Sequence, residues 1–137
     1  MRRLFADTSY WIALTDVRDA LHKTALTALS DVGTVRLFTS DLVLVEFLTA
    51  FSGYGSHFRG IALAQVDDIL DHESMSVEPA THDGFLEALD LYRRRPDKDY
   101  SLVDCHSVLL MRRHRLAEVL TSDHGFEQEG FRILLSR

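Results

Sequence analysis

The sequence predicts an α/β protein, with a mostly parallel sheet of about five strands covered by helices on both faces. Two observations lead there. Short apolar runs alternate with longer stretches of helical periodicity, and that alternation builds parallel sheets through strand–helix–strand crossovers. Acidic residues also stand just past two of the predicted strands, at Asp7 and Asp123, and sites in such sheets form beyond the carboxyl ends of the strands.

Leu4 to Ala6 read as the first strand, running into Asp7, and Thr8 to Leu14 as a helix. Asp19 opens a second helix through about Asp31, with Ala20, Leu21, Ala25, Leu26 and Leu29 near helical spacing, and Gly33 ends it. Val35 to Thr39 form a strand, Ser40 caps a helix through about Phe51, and Gly53-Tyr54-Gly55 breaks it. A helix follows from about Phe58 to Leu70, with Ile61, Leu63, Ala64, Val66 and Ile69 as its apolar set. Ser74 to Val77 make a third strand, and Thr81 caps a helix carrying Phe85, Leu86, Leu89 and Tyr92. Pro96 and its charged neighbours form a loop, and Ser101 opens a helix to about His114. Ala117 to Thr121 are a fourth strand, a helical turn follows, and Phe131 to Leu135 are a fifth.

A length of 137 residues suits one domain spanning 1–137. Apolar residues make up 46% of the chain, enough for a core and too many for disorder. No apolar run approaches the roughly 20 residues of a membrane span. The stretch after the first arginines carries Asp7 and Asp16 and no small-residue cleavage site, so no signal peptide is expected. One cysteine, Cys105, excludes an internal disulfide and fits a reducing cytoplasm. The net charge of −6 argues against a general nucleic-acid coat protein, while leaving room for an enzyme that touches nucleic acid locally. The cations are clustered, at Arg93, Arg94, Arg95 and Lys98, and at Arg112, Arg113 and Arg115.

Four acids attract attention, and each has a plain structural role open to it. Asp7 and Asp123 are placed to cap the helical turns that follow them. Ser101-Leu-Val-Asp104 matches a capping box. Glu46 is harder to explain that way. Its helical neighbours are Leu42, Val43, Thr49 and Ala50, so no local cation pairs with it. A carboxylate in such a run needs a distant cation, a metal or a route to solvent. Together the four acids form a set that the sheet could gather. Crowded carboxylates repel one another unless a cation intervenes, and hard oxygen ligands favour Mg²⁺ or Mn²⁺ over zinc. A metal held this way supports phosphodiester hydrolysis.

Other signals carry less. None of the seven histidines forms a close H-x-x-x-H pair, which speaks against zinc. Gly53-Tyr54-Gly55 follows a helix and lacks a dinucleotide-site spacing. Arg93 to Arg95 either contact phosphates or complement a helix C-terminus.

The four acids sit in segments that resemble PIN domains, especially VapC-type toxins. Asp7-Thr8-Ser9-Tyr10-Trp11-Ile12-Ala13-Leu14 is similar to the family's opening motif, and Leu44-Val45-Glu46-Phe47 to its second. Asp97 to Cys105 resembles the third, and Leu120 to Phe126 with Gly130-Phe131 the fourth. The likeness spans nearly the whole chain in the right order. It implies a three-layer α/β/α sandwich and a Mg²⁺- or Mn²⁺-dependent endoribonuclease acting on RNA. Carried over by position, Asp7, Glu46, Asp104 and Asp123 would hold the metal, with Thr8 and Thr121 as hydroxyls beside them. Asp99 is either an extra acid or an exposed loop residue. Val103 stands where relatives often have Thr or Ser, and His124-Gly125 replaces a frequently basic stretch. The resemblance further implies a type II toxin–antitoxin system, with a cognate antitoxin, a homodimer and a cytoplasmic setting. Trp11, Phe47, Phe51, Tyr54 and Phe58 would then form either a partner surface or core.

Two other classes compete. An α/β phosphatase of the haloacid-dehalogenase kind wants a second Asp two residues after the first, where this chain has Ser9. A non-catalytic RNA-binding or scaffold module would have no need of four intact acids.

Overall fold

The structure, a computed structural model, describes residues 1–135; the last two residues of the predicted 1–137 domain lie outside the described residues. Five strands form one sheet: β1 (Arg2–Ala6), β2 (Val35–Ser40), β3 (Met75–Glu78), β4 (Glu118–Leu120) and β5 (Arg132–Ile133), in the order β3-β2-β1-β4-β5. Every pairing is parallel, as the alternation of elements predicts. β1 is the central strand. Its Phe5 lies beside Phe38 of β2 and Val119 of β4, and Leu4, Phe5 and Ala6 are sealed from solvent. A strand covered on both faces reads as a continuous apolar run, which Leu4 to Ala6 do.

Helices α1 (Thr8–Thr15), α2 (His22–Thr27), α3 (Asp41–Phe51) and α4 (Gly55–Asp71) pack as one group, and α5 (His82–Arg93) packs on α6 (Leu102–Arg113). A short α7 (Gly125–Gln128) joins β4 to β5. From β1 the chain steps to β2 and β3, then returns to the other side of β1 for β4 and β5. Right-handed crossovers run in opposite directions place their helices on opposite faces of the sheet. The reversal falls between β1 and β4, where their carboxyl ends open a crevice. Asp7 follows the last residue of β1, and Thr121 the last residue of β4.

Local chemistry fixes the elements around that crevice. Ser40 caps α3, its Oγ accepting the Val43 N–H at 3.1 Å, and Thr81 caps α5 by accepting the Gly84 N–H at 3.0 Å. Inside, Trp11 Nε1 donates to Thr39 Oγ1 (3.3 Å), which donates to the Ala6 carbonyl (2.9 Å). That buried chain ties α1 to β2 and β1, each link contributing about 1 kcal/mol.

Several elements depart from the sequence expectation. α2 covers only His22–Thr27, because Asp19 Oδ1 accepts the Leu21 N–H at 2.8 Å and holds the preceding residues in a turn. α4 starts earlier, at Gly55, whose φ of +90° suits glycine. Its buried face is Ala62, Val66 and Ile69, whereas Ile61 and Leu63 are exposed. Of the apolar set expected for α4, Val66 and Ile69 are thus buried while Ile61, Leu63 and Ala64 are not, because the helix carries apolar residues on more than one face. α5 buries Ala88 and Leu91 and exposes Phe85, Leu86 and Tyr92. β5 is shorter than predicted, yet the N–H groups of Leu134 and Leu135 still reach Val119 and Thr121 carbonyls at 3.0 and 3.1 Å. Trp11, Phe47 and Phe51 belong to the core, and Arg18 lies over the rings of Tyr54 and Phe58.

Candidate active site

Asp7 leaves β1 at the N-cap position of α1, but its side chain makes no capping bond. The capping role open to it in the sequence is therefore not the one it takes. It is 5% exposed; Oδ2 accepts a hydrogen bond from Thr121 Oγ1 at 2.9 Å, while Oδ1 is buried without a partner. Burial pushes the carboxyl up to about 7, and the charges of Asp104 and Glu46 add to the rise.

Asp104 keeps its structural role. Its Oδ2 accepts the Ser101 N–H at 2.9 Å, and its own N–H donates to Ser101 Oγ at 3.0 Å, a complete capping box. Burial raises its pKa, Ser101 opposes the rise, and the charges of Asp123 and Glu46 reinforce it. The cap uses one carboxylate oxygen and leaves the other available. Asp123 is also both things at once: exposed, with Oδ1 accepting the Gly125 N–H at 2.8 Å to open α7. Glu46 is half-buried on α3 and has no hydrogen bond or ion pair among the described residues.

These side chains share an open cleft of about 530 Å³, lined by Asp7, Thr8, Ser9, Glu46, Asp104 and Asp123. All four predicted acids and Thr8 thus meet, and Thr121 joins them through Asp7. Thr8 Oγ1 is buried there without a hydrogen-bond partner. Asp99 does not line the cleft and is exposed. His124 points into solvent beside Glu127, Cys105 is sealed in the core, and burial lowers the pKa of the His106 imidazole.

The donor set suits a hard divalent cation. Two buried oxygens of cleft-lining residues, Asp7 Oδ1 and Thr8 Oγ1, lack partners, and a raised carboxyl beside other carboxylates is what a cation relieves. Among the described residues no group of three or more His, Cys, Asp or Glu side chains stands close enough to hold a metal ion together. Mg²⁺ asks for no all-protein cage, since it keeps several waters and takes one or two carboxylates. A second cavity, of about 410 Å³, is apolar and lined by Trp11, Leu37, Ile69 and Met75; none of the four acids borders it.

The sequence did not expose two supports of the site. Ser9 Oγ lies 3.0 Å from Thr121 Oγ1, although Thr8 is the hydroxyl singled out by position. Glu129 is the other. It accepts from Arg95 Nε and Nη2 (3.0 and 3.1 Å), Arg112 Nη2 (2.9 Å) and Tyr100 Oη (3.1 Å). The Arg95 bonds, helped by Arg112 and Tyr100, hold Glu129 down to about 2. The clustered arginines are largely engaged in this way, since Arg94 pairs with Asp90 and Arg113 with Glu78. Tyr100 then packs on Gly125, where an added Cβ would sit 2.9 Å from its ring and 3.1 Å from Asp123 Oδ1.

A doubly wound parallel sheet with acids gathered at its switch point is the arrangement of a PIN domain, and that family matches residues 4–131; the chain belongs to it. The chain is 31% identical over 128 residues to the 23S rRNA-specific endonuclease VapC20 of Mycobacterium tuberculosis, covering 93% of this chain and 95% of that protein. The same relative is found in strains CDC 1551 and H37Rv. The crystal structure of M. tuberculosis VapC20, described as a sarcin-ricin loop cleaving toxin, superposes with a TM-score of 0.82 at 30% identity, over 93% of this chain and 95% of that one.

Proposed function

We propose that residues 1–137 act as one PIN-like nuclease domain, a Mg²⁺- or Mn²⁺-dependent endoribonuclease and the toxin of a type II toxin–antitoxin system. The observation that carries this reading is Asp7: a buried carboxylate with one oxygen unpartnered, facing an acid-lined cleft. A stability role gives no reason for burying an unpaired acid beside two others. The relationship to VapC20 supports structured ribosomal RNA as the substrate.

In this reading Asp7 and Asp104 are the main ligands, and Glu46 and Asp123 complete the acidic ring or orient water. The bound cation would supply charge for the phosphate and a lowered pKa for water. The chain's own work is positional. Thr121 holds Asp7 by Oδ2, the Ser101 cap holds Asp104 by Oδ2, and the Gly125 N–H holds Asp123 by Oδ1. Each acid therefore keeps an oxygen for the cleft. In-line attack by water leaves no covalent link to the protein.

The acid-lined cleft suits inhibition by a basic segment of a cognate antitoxin. Exposed Phe85, Leu86 and Tyr92 on α5 favour a homodimer. Among the described residues no helix is long and apolar enough to cross a membrane, which accords with a cytoplasmic role.

The test is cleavage of a ribosomal hairpin RNA and of mixed cellular RNA in Mg²⁺ or Mn²⁺, beside EDTA and Asp7→Asn controls. Discrete fragments that need both metal and Asp7 support the nuclease. Metal and RNA binding without cleavage would leave the scaffold reading, and a phosphorylated aspartate would revive the phosphatase.

A further inference from the structure

Thr121 Oγ1 has three polar neighbours: Asp7 Oδ2 at 2.9 Å, Ser9 Oγ at 3.0 Å and the Asp123 N–H at 3.1 Å. A hydroxyl has one proton and two lone pairs. The Asp123 N–H can only donate, so it occupies one lone pair. The Thr121 proton goes to Asp7 Oδ2, because an ionised carboxylate can only accept. One lone pair remains, and Ser9 must therefore donate its own proton to it. With Asp7 ionised, as a bound cation would keep it, the direction of every hydrogen bond in the group is fixed by this count. Thr121 is left saturated and unable to turn its proton elsewhere. Ser9 lines the cleft with lone pairs alone.

We propose that Ser9 is a positioning residue for the divalent-cation site: acting through Thr121, it holds Asp7 with Oδ2 satisfied and Oδ1 facing the cleft. This rests on the nuclease reading above. Thr8, the neighbouring hydroxyl, cannot do the same, since its Oγ1 has no hydrogen-bond partner. The chain of donors also spans the sequence. Ser9 belongs to α1, Thr121 follows β4, and Asp123 begins the turn into α7. One hydroxyl thus sets two of the four acids against each other.

The test measures Mn²⁺ binding by calorimetry on the RNA-free protein, with cleavage kinetics beside it. Ser9→Ala should weaken Mn²⁺ binding by about fivefold to tenfold, the worth of one hydrogen bond in such a network. It should lower kcat and leave KM for RNA in place, and Ser9→Thr should restore both. In a Thr121→Val background Ser9→Ala should add nothing, because its path to Asp7 is already cut. Unchanged Mn²⁺ affinity in Ser9→Ala, with wild-type binding intact, overturns the proposal and leaves the nuclease standing. An equal effect in the Thr121→Val background also overturns it, since Ser9 would then act directly. If Thr121→Val does not fold, the Ser9→Ala and Ser9→Thr pair alone decides. Absence of Mn²⁺ binding in the wild-type protein sinks this proposal and the acidic metal site together.

Discussion

Thr121 Oγ1 lies 2.9 Å from Asp7 Oδ2, so a residue near the end of the chain orients an acid near its start. The bond crosses from the end of β4 to the end of β1, the two strands between which the sheet reverses. It leaves Asp7 with one satisfied oxygen and one bare one.

Asp7→Asn should abolish metal-dependent cleavage while leaving the fold as stable or more so. The amide removes a buried charge that Asp104 and Glu46 repel, and no helix cap is lost with it. Thermal melting without metal and a cleavage assay check the two halves. An unfolded variant would show that the carboxylate is structural.

The pH dependence of stability follows from the same acid. Asp7 rises from 3.8 to about 7, so the folded chain binds this proton more tightly than the unfolded chain does. Stability from Asp7 is then greatest at low pH and is lost as pH climbs through that window, by an amount on the order of a few kcal/mol. Metal-free protein should melt lower at pH 8 than at pH 5.5, and Asp7→Asn should flatten the difference. Mn²⁺ affinity should rise over the same interval, with proton release visible in buffers of different ionisation enthalpy.

Glu129 has the opposite sign. It is lowered from 4.5 to about 2, so its contribution is present above 4.5 and disappears as pH falls towards 2. Glu129→Gln leaves Arg95 and Arg112 without a carboxylate and should destabilise the fold by about 2 kcal/mol, the arginines being partly solvated. Urea denaturation at pH 7 measures the loss. A variant as stable as the parent would remove Glu129 from the account of how loop and α7 are held together.

Gly125→Ala should damage both activity and stability. A methyl group there meets the Tyr100 ring, which Glu129 pins, and the Asp123 carboxylate. Asp123 can swing aside, but the pinned ring can shift only by straining its bond to Glu129. A cleavage rate reduced by about tenfold or more, the scale of a misplaced catalytic group, beside a lowered melting temperature is expected.

Asp123→Asn separates two roles of one residue. Its amide oxygen still accepts the Gly125 N–H, so α7 should persist, while the negative charge facing the cleft is gone. Circular dichroism should be unaltered and cleavage reduced.

Much of this fold and site is legible in the sequence. β1 and β2 announce themselves as apolar runs, and Ser40, Thr81 and Ser101 cap the helices they were expected to cap. Asp7 and Asp123 stand out because strand ends converge in a parallel sheet. What stayed hidden depends on partners far apart in sequence. Glu129 reads as one more surface acid until Arg95 and Arg112 close on it. Ser9 is eclipsed by Thr8, because nothing local says which of two adjacent hydroxyls turns towards Thr121. The apolar set of α4 is legible only in part: Val66 and Ile69 are covered, but Ile61 and Leu63 are not, because apolar residues surround the helix and only packing decides which are covered.

The placement of Thr121 and Asp123 just past β4 has a consequence for how such a chain is made. Translation delivers Asp7 and Glu46 early, yet the segment after β4 that carries the hydroxyl for Asp7 emerges much later. Until it docks beside β1, the acids have no common crevice. The protein therefore completes its site only once the segment after β4 docks beside β1, 114 residues after Asp7 has been made.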